Sequence, residues 1–464
     1  MNITTYENKK YSNLTIASFS LFVVIQEMFN IIFGTYVFFF YETEVKLGIV
    51  YLFIGYIIYA VYNAINDPLI GYFTDRPRKF WTRYGKRFPY IVIGIFPFVL
   101  SWALIFSPPD VDPVSGAILI MAWFIFSACL YDTFYSIVST NTAALYPDKL
   151  RVDNDRRKYA AIRQFFGIIG LVLGALIPPM FIIYSVKSSY QAASWIIIII
   201  GFIVTLLFLP GAHEDKWLKE QYIMREIPKE RESFIQTFKK VMKQKNYRYI
   251  LFVYLVSDLA GACLMASLNY ILRYVLQEPA ESMMLLMIFF IIGSIGSIPV
   301  WLKLSQKLKN NKKLTSIACA FNVIVLGSVT FLPTLESMMI GAIFLGFGMA
   351  GFKVGITPCV ADSLDEALVD QGKHMEGSFS GLLVFFIRLA LIFQALIFLV
   401  VHVLTGFNPN TETQTPLAII GIRLHFGLIP AILFVIGIVV FYKFYDLTPK
   451  NTEKVKLKIK ELKL

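Results

Sequence analysis

The sequence predicts an all-α membrane protein of twelve transmembrane helices in two six-helix bundles, and three observations carry that prediction. Of 464 residues, 57% are hydrophobic, against roughly 45–50% in soluble domains even with glycine counted. Charged residues make up 16%, well below the usual roughly 25%. The apolar residues gather in runs that match the about 20 residues needed to cross a bilayer. Such a composition excludes a compact water-soluble domain.

The first run, 16–41, follows a polar start and is too long for a cleaved signal peptide, so it reads as the first span. Further runs fall at 47–73, 89–107, 116–143, 160–184 and 191–210, then at 248–275, 281–302, 314–333, 338–361, 377–405 and 417–444. Between the sixth and seventh lies the longest polar stretch, which suggests a duplicated six-helix unit. The expected division is therefore a first bundle over 1–212, a central loop over 213–247, a second bundle over 248–446 and a tail over 447–464.

Orientation follows from the short loops. Loop 75–88 holds Arg76, Arg78, Lys79, Arg83, Lys86 and Arg87, loop 144–158 holds Lys149, Arg151, Arg156, Arg157 and Lys158, and loop 303–313 holds Lys303, Lys307, Lys309, Lys312 and Lys313. The alternate loops, 42–46, 108–115, 185–190, 276–280, 334–337 and 406–416, contain only Lys46 and Lys187. The positive-inside bias makes the basic loops and both termini cytoplasmic, in a multi-pass protein of the cell membrane. It also accounts for the net charge of +12 without a nucleic-acid partner. In the central loop, Ser233 could cap a helix with Phe234, Phe238, Val241 and Met242 on one face and lysines around the other, which reads as an interfacial anchor. In the tail, Lys alternates with aliphatic residues at period two, and pattern alone does not decide its structure.

Cys129, Cys263, Cys319 and Cys359 lie inside apolar runs without metal-ligand spacing, so neither a disulfide framework nor a zinc site is implied. No nucleotide loop, catalytic triad or metal cluster is present, and neither an enzyme nor a cofactor is expected.

The chemistry lies in charges placed where lipid should be. Glu27, Asp67, Asp132, Asp258, Lys353 and Arg388 sit well inside spans, and each costs about 2.5–3.5 kcal/mol at a helix centre if unpaired. They must pair, face the bundle interior or line a watery cavity. Acids in the first half and cations in the second favour a central polar cavity. In the second span, Asn63 and Asp67 are four apart and share a helix face. Pro68 lacks the N–H that would bond the carbonyl of Ala64, so a carboxylate, an amide oxygen and a free carbonyl can converge on a cation or a proton. As the alternative, Asp67 pairs with Lys353 or Arg388 and locks the halves. The fourth span aligns Asp132, Ser136, Ser139 and Thr140, with Tyr135 beside them, as a pore-lining stripe. His402 and His425, toward the outer ends of the last two spans, are expected to reach interfacial water and carry no site.

Several blocks carry a resemblance. Asn66-Asp67-Pro68-Leu69-Ile70-Gly71, then Asp75-Arg76 and Arg83-Tyr84-Gly85-Lys86-Arg87-Phe88-Pro89, resemble the glycoside-pentoside-hexuronide:cation symporters, the major-facilitator branch that includes melibiose permease. Leu145-Tyr146-Pro147 with Arg156-Arg157 and Arg163-Gln164-Phe165-Phe166 is similar to that family's fourth-to-fifth helix loop. Ala361-Asp362-Ser363-Leu364-Asp365, Gly372-Lys373 and Glu376-Gly377 are similar to its tenth-to-eleventh loop, and Arg388 stands where the family usually carries Lys.

The resemblance implies a major facilitator fold and cation-coupled symport of a sugar or sugar-acid by alternating access, with a lysophospholipid or other amphiphile as the alternative cargo. The family's cation site uses two acids in the second helix and one in the fourth; here those positions read Asn63, Asp67 and Ser139. With two carboxylates missing, sodium binding should be weak. Burial disfavours the ionised form of a lone Asp67 and makes it a usable proton carrier, although a nearby Arg388 would oppose this. The expected coupling ion is H+, with Na+ as the alternative, at Asp67, Asn63, Ala64 and Ser139. The family's sugar-contacting acid falls near Glu27 and its fifth-helix Arg at Arg163, but its two sugar-contacting Trp fall near Ala143 and Lys353. A galactoside is not implied, and Lys353 with Arg388 suits an anionic sugar. The candidate substrate-binding set is Glu27, Asp132, Tyr135, Ser136, Arg163, Lys353 and Arg388. Asp75, Arg76, Arg83 and Arg87, beside Asp148, Asp153 and Asp155, form a candidate conformational latch. The expected partners are a small-molecule substrate and the lipid bilayer, for a chain acting as a monomer.

Overall fold

The computed structural model describes residues 10–76, 78, 81–224, 234–372 and 376–462. Among them every regular element is a helix, as expected where lipid leaves no external partner for the backbone. Twelve stretches are long and apolar enough to cross a membrane. They are α1 Asn13–Glu44, α2 Ile49–Thr74, α3 Phe88–Ile105, α4 Ala117–Lys149, α5 Asp153–Met180, α6 Lys187–Ala212, α7 Lys245–Leu276, α8 Ser282–Leu308, α9 Asn311–Val329, α10 Leu335–Gln371, α11 Gly381–Thr405 and α12 Pro416–Phe444. Large aliphatic side chains stand exposed along α6, Ile199, Ile203, Leu206 and Leu207 among them, a surface suited to lipid.

The chain divides into two compact units, Met1–Lys229 and Glu230–Leu464. In the first, α1 packs on α5 and α6, α2 on α4, and α3 on α4 and α6. In the second, α7 packs on α11 and α12, α8 on α10, and α9 on α10 and α12. Each contact recurs six helices later, which is how an internal structural repeat reads in a transporter fold. The α8–α10 contact is a backbone approach. A Cβ on Gly293 would lie 2.0 Å from the Ile343 carbonyl oxygen, and one on Gly346 would lie 2.1 Å from that of Phe290, so only glycine fits, as in close-packed membrane helices generally.

Three expectations change, and the tail, which pattern left undecided, takes a form. The stretch 42–46 is not a polar loop: α1 continues through two π-helical turns, Phe33–Val37 and Phe40–Glu44, and buries Glu42 and Glu44. Tyr190 Oη donates to Glu44 Oε1 at 3.5 Å and Thr43 Oγ1 at 3.3 Å, so hydroxyl partners let the helix outrun its apolar run. Lys149, counted among loop residues, is the buried last residue of α4. Its ammonium donates to the His213 carbonyl at 2.7 Å and lies over the rings of Tyr11 and Phe19.

The central-loop helix forms, Phe234–Lys243, but its apolar face is not an interfacial one. Val241 is buried with Tyr247, Leu251, Phe379 and Leu382, and Phe238 and Met242 pack against that cluster. Amphipathic periodicity requires only that an apolar face be covered, not what covers it. Ser233, its expected cap, and Lys79 and Lys373 lie outside the described residues. The tail is helical over Pro449–Leu462 and packs on α10; the helix propensity of its Lys, Leu and Glu residues prevails over the period-two pattern.

Candidate functional site

In the first unit, α2 and α4 meet along a polar seam. The helix α2 runs unbroken through Pro68. Asn63 and Asn66, three apart, face the same neighbour, and that neighbour is Asp132. Asn63 Nδ2 donates to Asp132 Oδ1 at 2.6 Å and Asn66 Nδ2 to Oδ2 at 2.9 Å. The Tyr59 hydroxyl lies 3.4 Å from Asn63 Nδ2, and Tyr62 Oη and Thr133 Oγ1 bond at 2.6 Å just beyond. Asp132 is 1% exposed. A carboxylate so deep demands donors, and two amides from one helix face supply them.

This corrects the pore-lining stripe. Asp132 and Ser136 are buried in helix packing, whereas Ser139, one turn on, lines a cavity of about 540 Å3. Helix periodicity puts the three on one side of α4, but α2 covers the part nearer Asp132 and leaves Ser139 uncovered. Sequence reasoning also missed Asn66 as a contact residue; its spacing of three from Asn63 was the available signal. Asp67 is half-buried on the same helix, and Ala64 stands beside Asn63.

The cavity is walled by α1, α4 and α5. Gln26, Thr142, Tyr159, Arg163 and Gln164 give it a polar wall, and Phe22 and Ala143 an apolar one. The Arg163 guanidinium acts electrostatically on the Tyr159 hydroxyl, and among the described residues that line the space there is no carboxylate. Glu27 is half-buried nearby on α1, its Cγ 3.9 Å from the point where a Cβ on Gly167 of α5 would sit. Tyr135 is turned inward onto Phe98 and Tyr131, with ring centroids 5.5 and 6.4 Å away.

In the second unit, Lys353 stands exposed on α10 and its charge acts on Asp258 of α7. Arg388 is half-buried on α11. His402 and His425 are not at water: both are buried and face each other with Nε2 atoms 3.2 Å apart. Nearness to a helix end suggested exposure, but the aromatic residues Tyr270, Phe398 and Phe407 close over the pair.

The expected latch is smaller and differently wired. Asp75 takes Arg87 at 2.6 Å and Lys86 at 3.5 Å, and Arg87 Nη1 reaches Asn141 Oδ1 of α4 at 3.3 Å. Arg76 stacks instead on Tyr72 and bonds its hydroxyl, and Arg83 lies over Tyr84. A guanidinium at a membrane edge rich in aromatic rings finds a cation–π partner at low desolvation cost. Asp148 acts on Lys86 electrostatically, while Asp155 accepts the Tyr11 N–H at 3.0 Å. Burial, with Arg87 beside it, lowers the Lys86 pKa.

Glu214 was not anticipated. It is fully buried and accepts the N–H groups of Arg87 and Phe88 at 3.2 and 3.3 Å, where an anion suits the start of α3. A Cβ at Gly85, whose φ is +97°, would lie 1.7 Å from its Oε2, so glycine admits the carboxylate. Burial raises the Glu214 pKa, with the two N–H donors pulling the other way.

Paired six-helix units, a buried carboxylate seam and a polar cavity define a membrane transporter of the major facilitator type, not an enzyme. The chain belongs to the family described as MFS/sugar transport protein, which matches residues 18–449. It is 24% identical over 441 residues to the uncharacterized symporter YnaJ of Bacillus subtilis (strain 168), covering 92% of this chain and 90% of that one. It is 22% identical over 445 residues to the sodium-dependent lysophosphatidylcholine symporter 1 of Xenopus tropicalis, covering 87% and 81%. The fold is shared with the crystal structure of a D-xylose-proton symporter at a TM-score of 0.62 and 15% identity, over 93% of this chain and 97% of that one.

Proposed function

We propose that this transporter is a proton-coupled symporter of an anionic sugar such as a uronate, working by alternating access. The basic loops and both termini would then be cytoplasmic, and the cell membrane its location. The observation that carries this reading is the grip of Asn63 and Asn66 on Asp132. Both amides turn nitrogen toward the carboxylate, and an amide N–H cannot ligate sodium, which takes oxygen. A proton can still be accepted by a carboxylate there, at the loss of one donor contact. Asp67, on the same stretch of α2, would share that proton with Asp132, so the coupling role extends to a residue first read as a substrate contact. Support for an anionic cargo comes from the cavity, whose described lining offers the Arg163 guanidinium and amide or hydroxyl groups without a carboxylate among them. Its volume suits a small polar solute.

Relatives named as lysophosphatidylcholine symporters make an amphiphile with an anionic head the second reading, which the Phe22–Ala143 wall of the cavity favours. Uptake by proteoliposomes separates the two. Under an inward pH gradient without sodium, uronate should accumulate and neutral galactosides should not. Accumulation driven by a sodium gradient at equal pH, or uptake of lysolipid in place of sugar acid, would overturn the corresponding half.

A further inference from the structure

The histidine pair at the end of the second unit belongs to neither the cavity nor the polar seam. His402, near the end of α11, and His425, in the π-helical turn Leu424–Leu428 of α12, are 2% and 0% exposed. His425 Nδ1 lies 2.6 Å from Ser267 Oγ, and that hydroxyl also lies 2.5 Å from the Cys263 carbonyl oxygen. A serine has one hydrogen to give. With both rings neutral, one arrangement satisfies all three contacts: Ser267 donates to Cys263, His425 Nδ1–H donates to Ser267, and His402 Nε2–H donates to His425 Nε2. The acceptor position on His425 Nε2 is thereby filled. A proton added to the pair would bury a cation among the rings of Tyr270, Phe398 and Phe407, a desolvation cost that opening the pair to water relieves.

What covers the pair is the segment 406–415. The Phe407 ring stacks on His402 at 4.4 Å between centroids, and its N–H donates to the His402 carbonyl at 3.0 Å. Glu412 of the same segment accepts from Arg273 of α7 at 3.0 Å. The titratable and charged groups on the adjoining turns are Cys263, Tyr270, Arg273 and Tyr274 on α7, Glu412 on the segment, and Arg423 on α12, while Asp258 on α7 and Arg388 on α11 stand farther along their helices. Arg423 is turned away onto the Thr330 and Leu332 carbonyls. The charges of α9 stand at its start, Lys312 and Lys313, away from the pair.

We propose that Ser267, His425 and His402 form a proton-sensitive seal: the neutral pair holds the segment 406–415 closed, and acid that protonates the buried pair releases it. Calling that end outer rests on the orientation proposed above; the seal itself does not. Closure is fully present above the ordinary imidazole range, about 6.5, and is lost as pH falls through and below it.

The test is amide hydrogen exchange of the full chain in detergent micelles between about pH 8 and 5, corrected for the intrinsic pH dependence of exchange. Protection of 406–415 and of 424–428 should fall at least about tenfold toward low pH, the size of a one-unit linkage, while α2 and α4 stay unchanged. In His425→Gln the step should vanish and the segment should be loose at every pH. Should that variant fail to fold, His402→Gln serves for the same comparison. A flat wild-type profile, or a step that survives in the variant that folds, would refute the seal. Both results are independent of substrate and coupling ion, so they leave the transport reading to its own test.

Discussion

The contact between α2 and α4 in the first unit and its counterpart between α8 and α10 in the second occupy the same place in a repeated architecture, yet they are built from opposite materials. In the first, Asn63 and Asn66 hold the carboxylate of Asp132, and Tyr62 bonds Thr133. In the second, Gly293 and Gly346 let the two backbones touch, and Trp301 packs over Gly351 and donates to the Phe347 carbonyl at 2.9 Å. A glycine seam gains dispersion and close approach and has no ionisable group to move. A carboxylate seam sacrifices packing energy for a group whose charge can change. The same helix contact occurs twice, and among the described side-chain contacts of the two seams the one centred on a carboxylate lies in the first.

The sharpest way to break the comparison is to add bulk to the second seam. Gly346→Val should cost at least about 3 kcal/mol, since the new Cβ meets backbone that cannot yield as a side chain can. It should appear as aggregated protein on size-exclusion chromatography, whereas Gly55→Ala in the α2–α4 seam, whose Cβ would find its nearest atoms in the side chains of Phe124 and Ile125, should remain monodisperse. Equal behaviour of the two would remove the distinction.

For the first seam the prediction is reversed. Asp132→Asn should keep the fold, because removing a buried charge whose partners are neutral amides leaves no orphaned ion. It should nevertheless reduce gradient-driven accumulation by about 100-fold or more, the upper range for losing a positioned acid–base group. Retained substrate exchange in the absence of a gradient would confirm that coupling, not binding, was lost. Accumulation at the wild-type level would return Asp132 to a structural role.

A third change adds charge instead of removing it. Asn63→Asp would set a carboxylate against Asp132 across the present 2.6 Å contact, and two such groups cannot both stay ionised without a cation between them. Uptake by this variant should be stimulated by sodium more than uptake by the parent, measured at fixed pH with and without the ion.

Smaller effects are expected at the loops. Asp75→Asn leaves Arg87 with Asn141 but without its carboxylate. It should shift the balance of inward and outward states, read by cysteine accessibility, while affinity within each state changes by less than about twofold, as a coupling effect remote from the cavity requires. Glu214→Ala removes the acceptor at the start of α3 and should cost about 1 kcal/mol. Burial raises the Glu214 pKa, so its contribution is fullest below the ordinary glutamate range and is lost as pH rises through the raised value. Thermal melts should show wild type slightly favoured at pH 5 over pH 7, with Glu214→Gln flattening that difference.

Composition and periodicity alone determined the twelve spans, their division into six and six, and the all-helical class, because a bilayer admits few solutions for a backbone and sets a minimum apolar length for each. That Asp75 and Arg87 belong to one charged loop edge was legible too, but their pairing with each other was not. What no span could reveal was which helix covers which face. Asp132 looked solvent-lining until α2 covered it, Ser139 is half-buried with a face on the cavity, and His402 and His425, 23 residues apart in sequence, meet only once α11 and α12 have both packed against α7. Glu42, Glu44 and Glu214 resemble loop charges in sequence for the same reason. The energy of a buried polar group depends on donors brought by other segments, and those donors are assigned by packing, which pattern along one helix does not encode.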